Sequence, residues 1–181
     1  MSARLAVFLA VVATLSTTVA SRADKLYVTE FSDAASRVLR MNLDGSMQEE
    51  LFASLSPRVA SGIAVDSRNA KLYLLAIFGG VDGIYQSNLD GSALRPVLAD
   101  DAGFNEFISD FDVDTRKETI YFVGDLFGSI YRVDASGGVP DVIHLAADAV
   151  GVAVDSKREQ LYWIDARAGA VLLLTVTRED P

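Results

Sequence analysis

Gly62-Ile63-Ala64-Val65-Asp66-Ser67-Arg68-Asn69-Ala70-Lys71-Leu72-Tyr73 is one of three stretches of this chain that align without a gap. The second runs from Asp110 to Tyr121 (Asp-Phe-Asp-Val-Asp-Thr-Arg-Lys-Glu-Thr-Ile-Tyr). The third runs from Gly151 to Tyr162 (Gly-Val-Ala-Val-Asp-Ser-Lys-Arg-Glu-Gln-Leu-Tyr). Each places an apolar residue, then Val-Asp, then Ser or Thr, a basic residue, a short polar span, and Leu or Ile before Tyr. A fourth copy keeps only its second half, Lys25-Leu26-Tyr27, so the repeated tyrosines Tyr27, Tyr73, Tyr121 and Tyr162 stand 46, 48 and 41 residues apart. A second element keeps the same phase. Arg40-Met-Asn-Leu-Asp-Gly-Ser46 matches Gln86-Ser-Asn-Leu-Asp-Gly-Ser92, and Tyr131-Arg-Val-Asp-Ala-Ser-Gly137 is a looser copy. Two separate motifs holding one register define a repeat protein.

Each unit reads as β. Its apolar pieces (Gly62–Val65, Leu72–Ile77, Ile84–Leu89, Leu94–Leu98) are short and rich in Val, Ile, Leu and Tyr. The polar spans between them are too short for helices. Asp44-Gly45 and Asp90-Gly91 are tight-turn signals, because Gly accepts positive φ and Asp tolerates it. Four strands in 41 to 48 residues is the size of a propeller blade. The expected fold is therefore all-β, a β-propeller-like repeat of four-stranded blades. Asp66, Asp114 and Asp155 each end a strand, where a carboxylate accepts backbone N–H groups of the following turn.

Met1 to Ala23 reads differently. One early cation, Arg4, precedes an apolar run from Leu5 to Leu15, and small residues follow up to Ala20 and Ala23. This is the pattern of a secretory signal peptide, and its apolar run is about half the roughly 20 residues of a membrane span. We take residues 1–23 as leader and 24–181 as one propeller-type domain. Losing Arg4 and Arg22 carries the formal charge from −9 to −11. An acidic surface repels phosphate backbones, so nucleic acid is not an expected partner. The expected location is extracellular or periplasmic. There is no cysteine, which excludes thiol catalysis, disulfides and Cys-ligated zinc, and leaves the core alone to hold the fold.

Gly151-Val-Ala-Val-Asp155 followed by Leu161-Tyr162-Trp163-Ile164-Asp165 resembles the YWTD repeats of LDL-receptor class B propellers. The tetrapeptide itself is degenerate: Tyr27-Val-Thr-Glu30, Tyr73-Leu-Leu-Ala76, Tyr121-Phe-Val-Gly124 and Tyr162-Trp-Ile-Asp165. Six-bladed TolB-like, NHL and gluconolactonase-like propellers share much of the pattern. On the resemblance, Asp66, Tyr73, Asp114, Tyr121, Asp155, Tyr162, Trp163 and Asp165 are structural repeat positions. The resemblance implies a six-bladed ring that binds or scaffolds outside the cell. Only about 3.5 blades are present: a partial unit at 25–53 without its innermost strand, full units at 60–99 and 108–147, and a partial unit at 150–177 without its outermost strand. Uncovered blade faces would favour self-association.

The expected function is a non-enzymatic binding module with a protein or peptide ligand. His144 is the single histidine and sits in a strand pattern, and no phosphate loop or nucleophile elbow occurs. The expected ligand surface is the loop Asp100, Asp101, Phe104, Asn105, Glu106 and Phe107, where acids and aromatics together suit a basic ligand. Packing of both phenylalanines beneath a seam between blades is the competing reading, and Phe78 with Asp82 poses the same choice. No catalytic residue, metal ligand or cofactor is expected. The alternative is a calcium-dependent lactonase-like hydrolase, for which Glu30, Asn105, Glu106 and Asp148 are the carboxylate and amide candidates.

Overall fold

The computed structural model describes residues 10–13, 25–31, 36–52, 59–78, 81–99, 107–124, 128–145 and 148–176. For residues 10–13, 31, 59–61 and 81–82 it describes the backbone alone. Every described element is a strand, and every pairing between neighbours is antiparallel.

Four sheets follow one another along the chain, each a meander in sequence order. The first holds β1 (Ala10–Ala13), β2 (Lys25–Phe31), β3 (Ser36–Asn42) and β4 (Glu49–Leu51). The second holds β5 (Val59–Asp66), β6 (Lys71–Phe78), β7 (Val81–Asn88) and β8 (Arg95–Ala99). The third holds β9 (Ile108–Asp114), β10 (Thr119–Gly124), β11 (Ser129–Asp134) and β12 (Asp141–His144). The fourth has three strands, β13 (Ala149–Asp155), β14 (Gln160–Asp165) and β15 (Ala170–Thr175). Among the described residues the fourth sheet has no counterpart of the outer strands β4, β8 and β12. The first sheet acquires an inner strand from within the segment expected as leader. Ala10, Val11, Val12 and Ala13 pair with Thr29, Val28, Tyr27 and Leu26. An apolar run of this length serves equally as leader core or as buried strand.

The repeat is built by its turns. Asp66 Oδ1 accepts the N–H groups of Arg68 and Asn69, both at 3.0 Å. Asp114 Oδ1 does the same for Arg116 and Lys117 at 2.9 and 3.1 Å, and Asp155 Oδ1 for Lys157 and Arg158 at 2.9 and 3.1 Å. The residue closing each of these turns, Ala70, Glu118 or Glu159, takes a φ of 52 to 56°. The aspartate compensates for that left-handed residue by satisfying two amides that a tight turn leaves unpaired. The other turn is equally regular. Asp44 and Asp90 accept the Ser46 and Ser92 amides at 2.9 and 3.0 Å, with Gly45 and Gly91 at φ of 79 and 81°.

Chain contacts divide the molecule into residues 1–96 and 97–181, with the boundary inside β8. The core of the first unit lies between its two sheets. Tyr27, Val38, Leu51 and Phe52 face Ile63, Leu72, Leu74 and Phe78. The Tyr27 hydroxyl donates to the Leu89 carbonyl at 3.1 Å. The core of the second unit sets Tyr121, Val123 and Ile130 against Ala149, Val152, Leu161 and Trp163. Val123, Ile130 and Leu161 are fully buried, worth about 1.5–3 kcal/mol each relative to exposure.

Period-2 alternation assigns each side chain to a face. In the fourth sheet Val152, Trp163 and Leu172 are cross-strand partners on the face turned to the third sheet. Ile164 pairs with Val171, and Tyr162 with Leu173, on the opposite face. Ile164, Val171 and Leu173 are 49, 68 and 51% exposed. The repeat tyrosine explains the pattern. Tyr27 and Tyr121 pack against the sheet that follows them, and Tyr162 stands on the same side of its own sheet.

Candidate functional site

A cavity of about 520 Å³ opens between β12 and the β14–β15 hairpin, lined by His144, Leu145, Trp163, Asp165, Arg167 and Leu172. All belong to the second unit. Strand alternation turns Trp163 toward the third sheet, where its indole meets the His144 ring at 5.0 Å between centroids, tilted by 50°. Leu172 sits beside Trp163 as its cross-strand partner on β15. Asp165 ends β14 and its Oδ1 accepts the Ala168 N–H at 2.7 Å, which folds the turn and brings Arg167 to the rim. The Ala166 N–H donates to the Asp148 carbonyl at 2.9 Å and ties this turn to the start of β13.

Among the described lining residues the polar groups are mixed: the Arg167 guanidinium donates, and the Asp165 oxygen outside the turn accepts. Trp163 is 4% exposed, yet among the described residues its indole Nε1–H has no hydrogen-bond partner. A buried donor left unpaired costs about 1–3 kcal/mol. Arg167 is exposed and carries a fork of N–H donors with no acceptor capacity. Asp165 is the one carboxylate among the described lining residues, and one of its oxygens is committed to the turn while the other is left to accept.

A second polar feature lies on the inner strands of the same unit. Asp110 Oδ2 accepts the Val152 N–H at 2.9 Å, and Asp112 Oδ2 accepts the Val154 N–H at 2.8 Å. Two carboxylates of β9 thereby stand in for a strand partner along the edge of β13. Burial pushes both above the ordinary carboxylate range, with the backbone N–H bonds opposing the shift. At Gly151 an added Cβ would stand 3.4 Å from Asp110 Oδ2, so the small residue leaves room for this contact.

The sequence-derived candidates fare unevenly. Asp100, Asp101, Phe104, Asn105 and Glu106 lie outside the described residues, and Phe107, just before β9, is 70% exposed. Phe78 is a core residue, edge-on to Phe52 at 5.7 Å and to Tyr85 at 4.8 Å. The side chain of Asp82 lies outside the described residues. Of the hydrolase candidates, Glu30 is ion-paired with Arg37, and Asp148 is an exposed turn residue with φ of 71°. Among the described residues no three His, Asp or Glu side chains come together as a metal-binding group. Tyr73 accepts from Gln86 Nε2 at 2.8 Å, and Tyr162 donates to Gln160 Oε1 at 2.7 Å. Sequence reading missed the cavity. Its signals were the sole tryptophan and, for the second feature, Asp-x-Asp-x-Asp at 110–114 where the other copies read Gly-x-Ala-x-Asp.

No known protein-family profile matches the chain, and no curated protein matches it. Solved structures do. A chain of a nidogen/laminin complex aligns with a TM-score of 0.70 at 19% identity, over 85% of this chain and 57% of that one. A gluconolactonase from Xanthomonas campestris aligns at 0.64 and 16% identity, over 87% and 55%. A calcium-binding regucalcin from Agrobacterium tumefaciens aligns at 0.62 and 14%, over 84% and 57%. The fold is that of a β-propeller. This chain supplies about three and a half blades of it and spans little more than half the length of these structures. At such identities the likeness extends to the fold alone, and it takes in binding modules and enzymes alike.

Proposed function

We propose that this chain is an exported, non-catalytic binding module of the YWTD-like propeller type, recognising a protein or peptide through its fourth blade. The observation that carries the reading is the outer half of that blade. Ile164, Val171 and Leu173 form an exposed apolar strip on one face of β14–β15. The Trp163 cavity opens on the other face. Apolar side chains in contiguous exposed patches mark interaction surfaces, and a buried aromatic beside a charged rim is the composition of a binding hot spot. Export rests on the Met1–Ala23 pattern. No helix among the described residues is long and apolar enough to cross a membrane.

Selection of peptides from a random display library against residues 24–181 tests this. Backbone amides of β14 and β15 should gain hydrogen-exchange protection when a selected peptide binds, and Val171→Glu with Leu173→Glu should abolish binding. Protection confined to other blades, or saturable turnover of lactone substrates with calcium, manganese or zinc added, would refute it.

A further inference from the structure

Among the described residues no strand pairs with the outer edge of β15. β3, β7 and β11 hold the same place in the other three sheets, and each is covered by an outer strand, β4, β8 or β12. One bond fixes the direction of the β15 backbone groups. The Val176 N–H donates to the Glu159 carbonyl at 2.8 Å, toward β14. Antiparallel alternation then turns the N–H and C=O of Val171, Leu173 and Thr175 outward. These are the positions that receive an outer strand elsewhere. Tyr162 pairs with Leu173 as Tyr27 pairs with Arg40 and Tyr121 with Arg132. Arg40 and Arg132 in turn pair with Glu49 of β4 and Asp141 of β12.

Composition separates β15 from the strands that end the other sheets. Edge strands carry charges or proline that block further pairing. Glu49 and Glu50 stand in β4, Arg95 and Pro96 in β8, and Asp141 in β12. β15 reads Ala-Val-Leu-Leu-Leu-Thr and has neither, although Val171, Leu172 and Leu173 are 68, 38 and 51% exposed. Leu173 also stands where the other copies have Arg40, Gln86 and Arg132. Each of those is bonded to a charged residue of its outer strand: Glu49, Arg95 and Asp141. A charged outer strand of the repeat type therefore finds no polar partner at Leu173. What matches this edge is an uncharged apolar strand with outward amides at alternate positions, which is β15 itself. We infer that two copies of this chain pair antiparallel along β15 about a two-fold axis at Leu172, Val171 of each lying opposite Leu173 of the other. The register is allowed because Val171 and Leu173 both turn their backbone groups outward. A two-fold contact uses up both edges and stops at the dimer. Each chain carries a formal −9, and β15, without a charged residue, brings no like charges face to face. The inference rests on the reading of the fourth blade as a binding element and names a second copy as what its edge takes.

The chain has no cysteine, so a single one reports the register. Leu172→Cys places two thiols across the axis in a non-hydrogen-bonded pair, with Cα atoms about 4.5 Å apart and within disulfide range. In the full chain it should form a covalent dimer under mild oxidation at least tenfold faster than Leu173→Cys. The counterpart of Leu173 lies two residues, about 7 Å, further along the strand and out of bridging range. The unmodified chain should sediment as a monomer–dimer equilibrium at tens of micromolar, and amide exchange at Val171 and Leu173 should slow as concentration rises. Leu173→Pro removes one outward N–H and leaves the bonds to β14 in place, and it should raise the midpoint concentration of dimerisation at least tenfold. Leu173→Lys, which keeps the backbone intact, should do the same. A monomer at every concentration overturns the inference. So does equal cross-linking by the two cysteine variants, or a dimer whose β15 amides exchange as they do in the monomer. The binding-module reading is tested apart from this: it stands if selected peptides protect β14 and β15 in a chain that stays monomeric, and falls with the inference if neither peptide nor second copy protects them.

Discussion

Asp112 Oδ2 accepts the Val154 N–H at 2.8 Å, two residues along from the matching contact between Asp110 Oδ2 and the Val152 N–H at 2.9 Å. In the repeat alignment these positions are Gly62 and Ala64 in the second blade and Gly151 and Ala153 in the fourth, so the carboxylates are peculiar to one seam. Burial raises both above the ordinary carboxylate value. The unfolded chain therefore releases these protons at a lower pH than the folded one. As pH rises through the window from the ordinary value, 3.8, to the raised folded values, the folded state binds more protons and these groups lose stability for it. Asp112→Asn keeps an acceptor for Val154 and removes the charge. The melting temperature of this variant minus that of the parent should increase as pH goes from 4 to 7. A difference that is flat, or that falls, would show that Asp112 is ionised without cost.

Exposed turn aspartates act with the opposite sign. Hydrogen bonds from Ser46, Ser92, Ser136 and Arg158 hold Asp44, Asp90, Asp134 and Asp155 below the usual value. Their stabilisation is present above the unfolded value and disappears as pH falls through the folded ones. A serine-to-alanine change is the clean comparison. Ser92→Ala should lower the stability at pH 7, where this contribution is fully present, and narrow the acid-side loss in a urea series between pH 5 and 2, so that variant and parent converge at the acid end.

The repeat aspartates are not equivalent, and their third contact separates them. Asp66 Oδ2 takes Asn69 Nδ2 at 2.7 Å and Asp155 Oδ2 takes Arg158 at 2.6 Å, whereas Asp114 Oδ2 is buried with no partner among the described residues. The residue in the matching position, Lys117, sends its Nζ to the Val176 carbonyl at 2.7 Å instead. Asp66→Ala removes the acceptor of two part-buried backbone amides and of Asn69 Nδ2. It should cost about 2–3 kcal/mol in urea unfolding. Asp155→Ala opens a solvent-facing turn and should cost about 1 kcal/mol or less, because water replaces the lost acceptor.

These turns also show why the blades could be read from residues and the cavity could not. An aspartate, a left-handed closing residue and an Asp-Gly-Ser turn are local requirements, so each copy wrote them into twelve or fewer consecutive positions, from Gly62 to Tyr73 and from Arg40 to Ser46. The strands β5–β7, β9–β11 and β13–β15 follow from them. His144 and Arg167 belong to different copies and line one cavity only because one sheet stacks on the next with Trp163 turned toward it. No periodicity within one copy encodes that. β1 was hidden for another reason: Ala10–Ala13 is apolar on both sides of the pleat, as a leader core is, and carries no turn motif of the repeat.

The apolar strip on the fourth sheet separates packing from exposure. Leu161 is fully buried in the core with Tyr121 and Ile130, and Leu161→Ala should cost about 2–4 kcal/mol. Leu173, on the opposite face of the sheet and 51% exposed, contributes little to folding. Leu173→Glu should shift the unfolding free energy by no more than about 0.5 kcal/mol and reduce concentration-dependent light scattering of residues 24–181. A large destabilisation by Leu173→Glu would mean that this face is covered when the chain is folded.

Removal of residues 1–23 has a local consequence at the other end. Among the described residues β1 supplies the only partner on its side of β2, pairing Ala10 through Ala13 with Thr29 back to Leu26. Without it the outward amides of Leu26 to Thr29 face solvent, and β2 becomes an edge. Tyr27 still belongs to the core with Leu72 and Leu74, and β2 still pairs with β3 and β3 with β4, so the sheet itself should persist. Hydrogen exchange of the 24–181 chain against the full chain should therefore speed up at Leu26–Thr29 and stay unchanged at Leu72–Leu75 of β6, which is paired on both edges. Equal protection of β2 in the two chains would mean that another strand occupies its edge once residues 1–23 are gone. Loss of protection across β6 as well would mean that β1 is required for the first unit to fold.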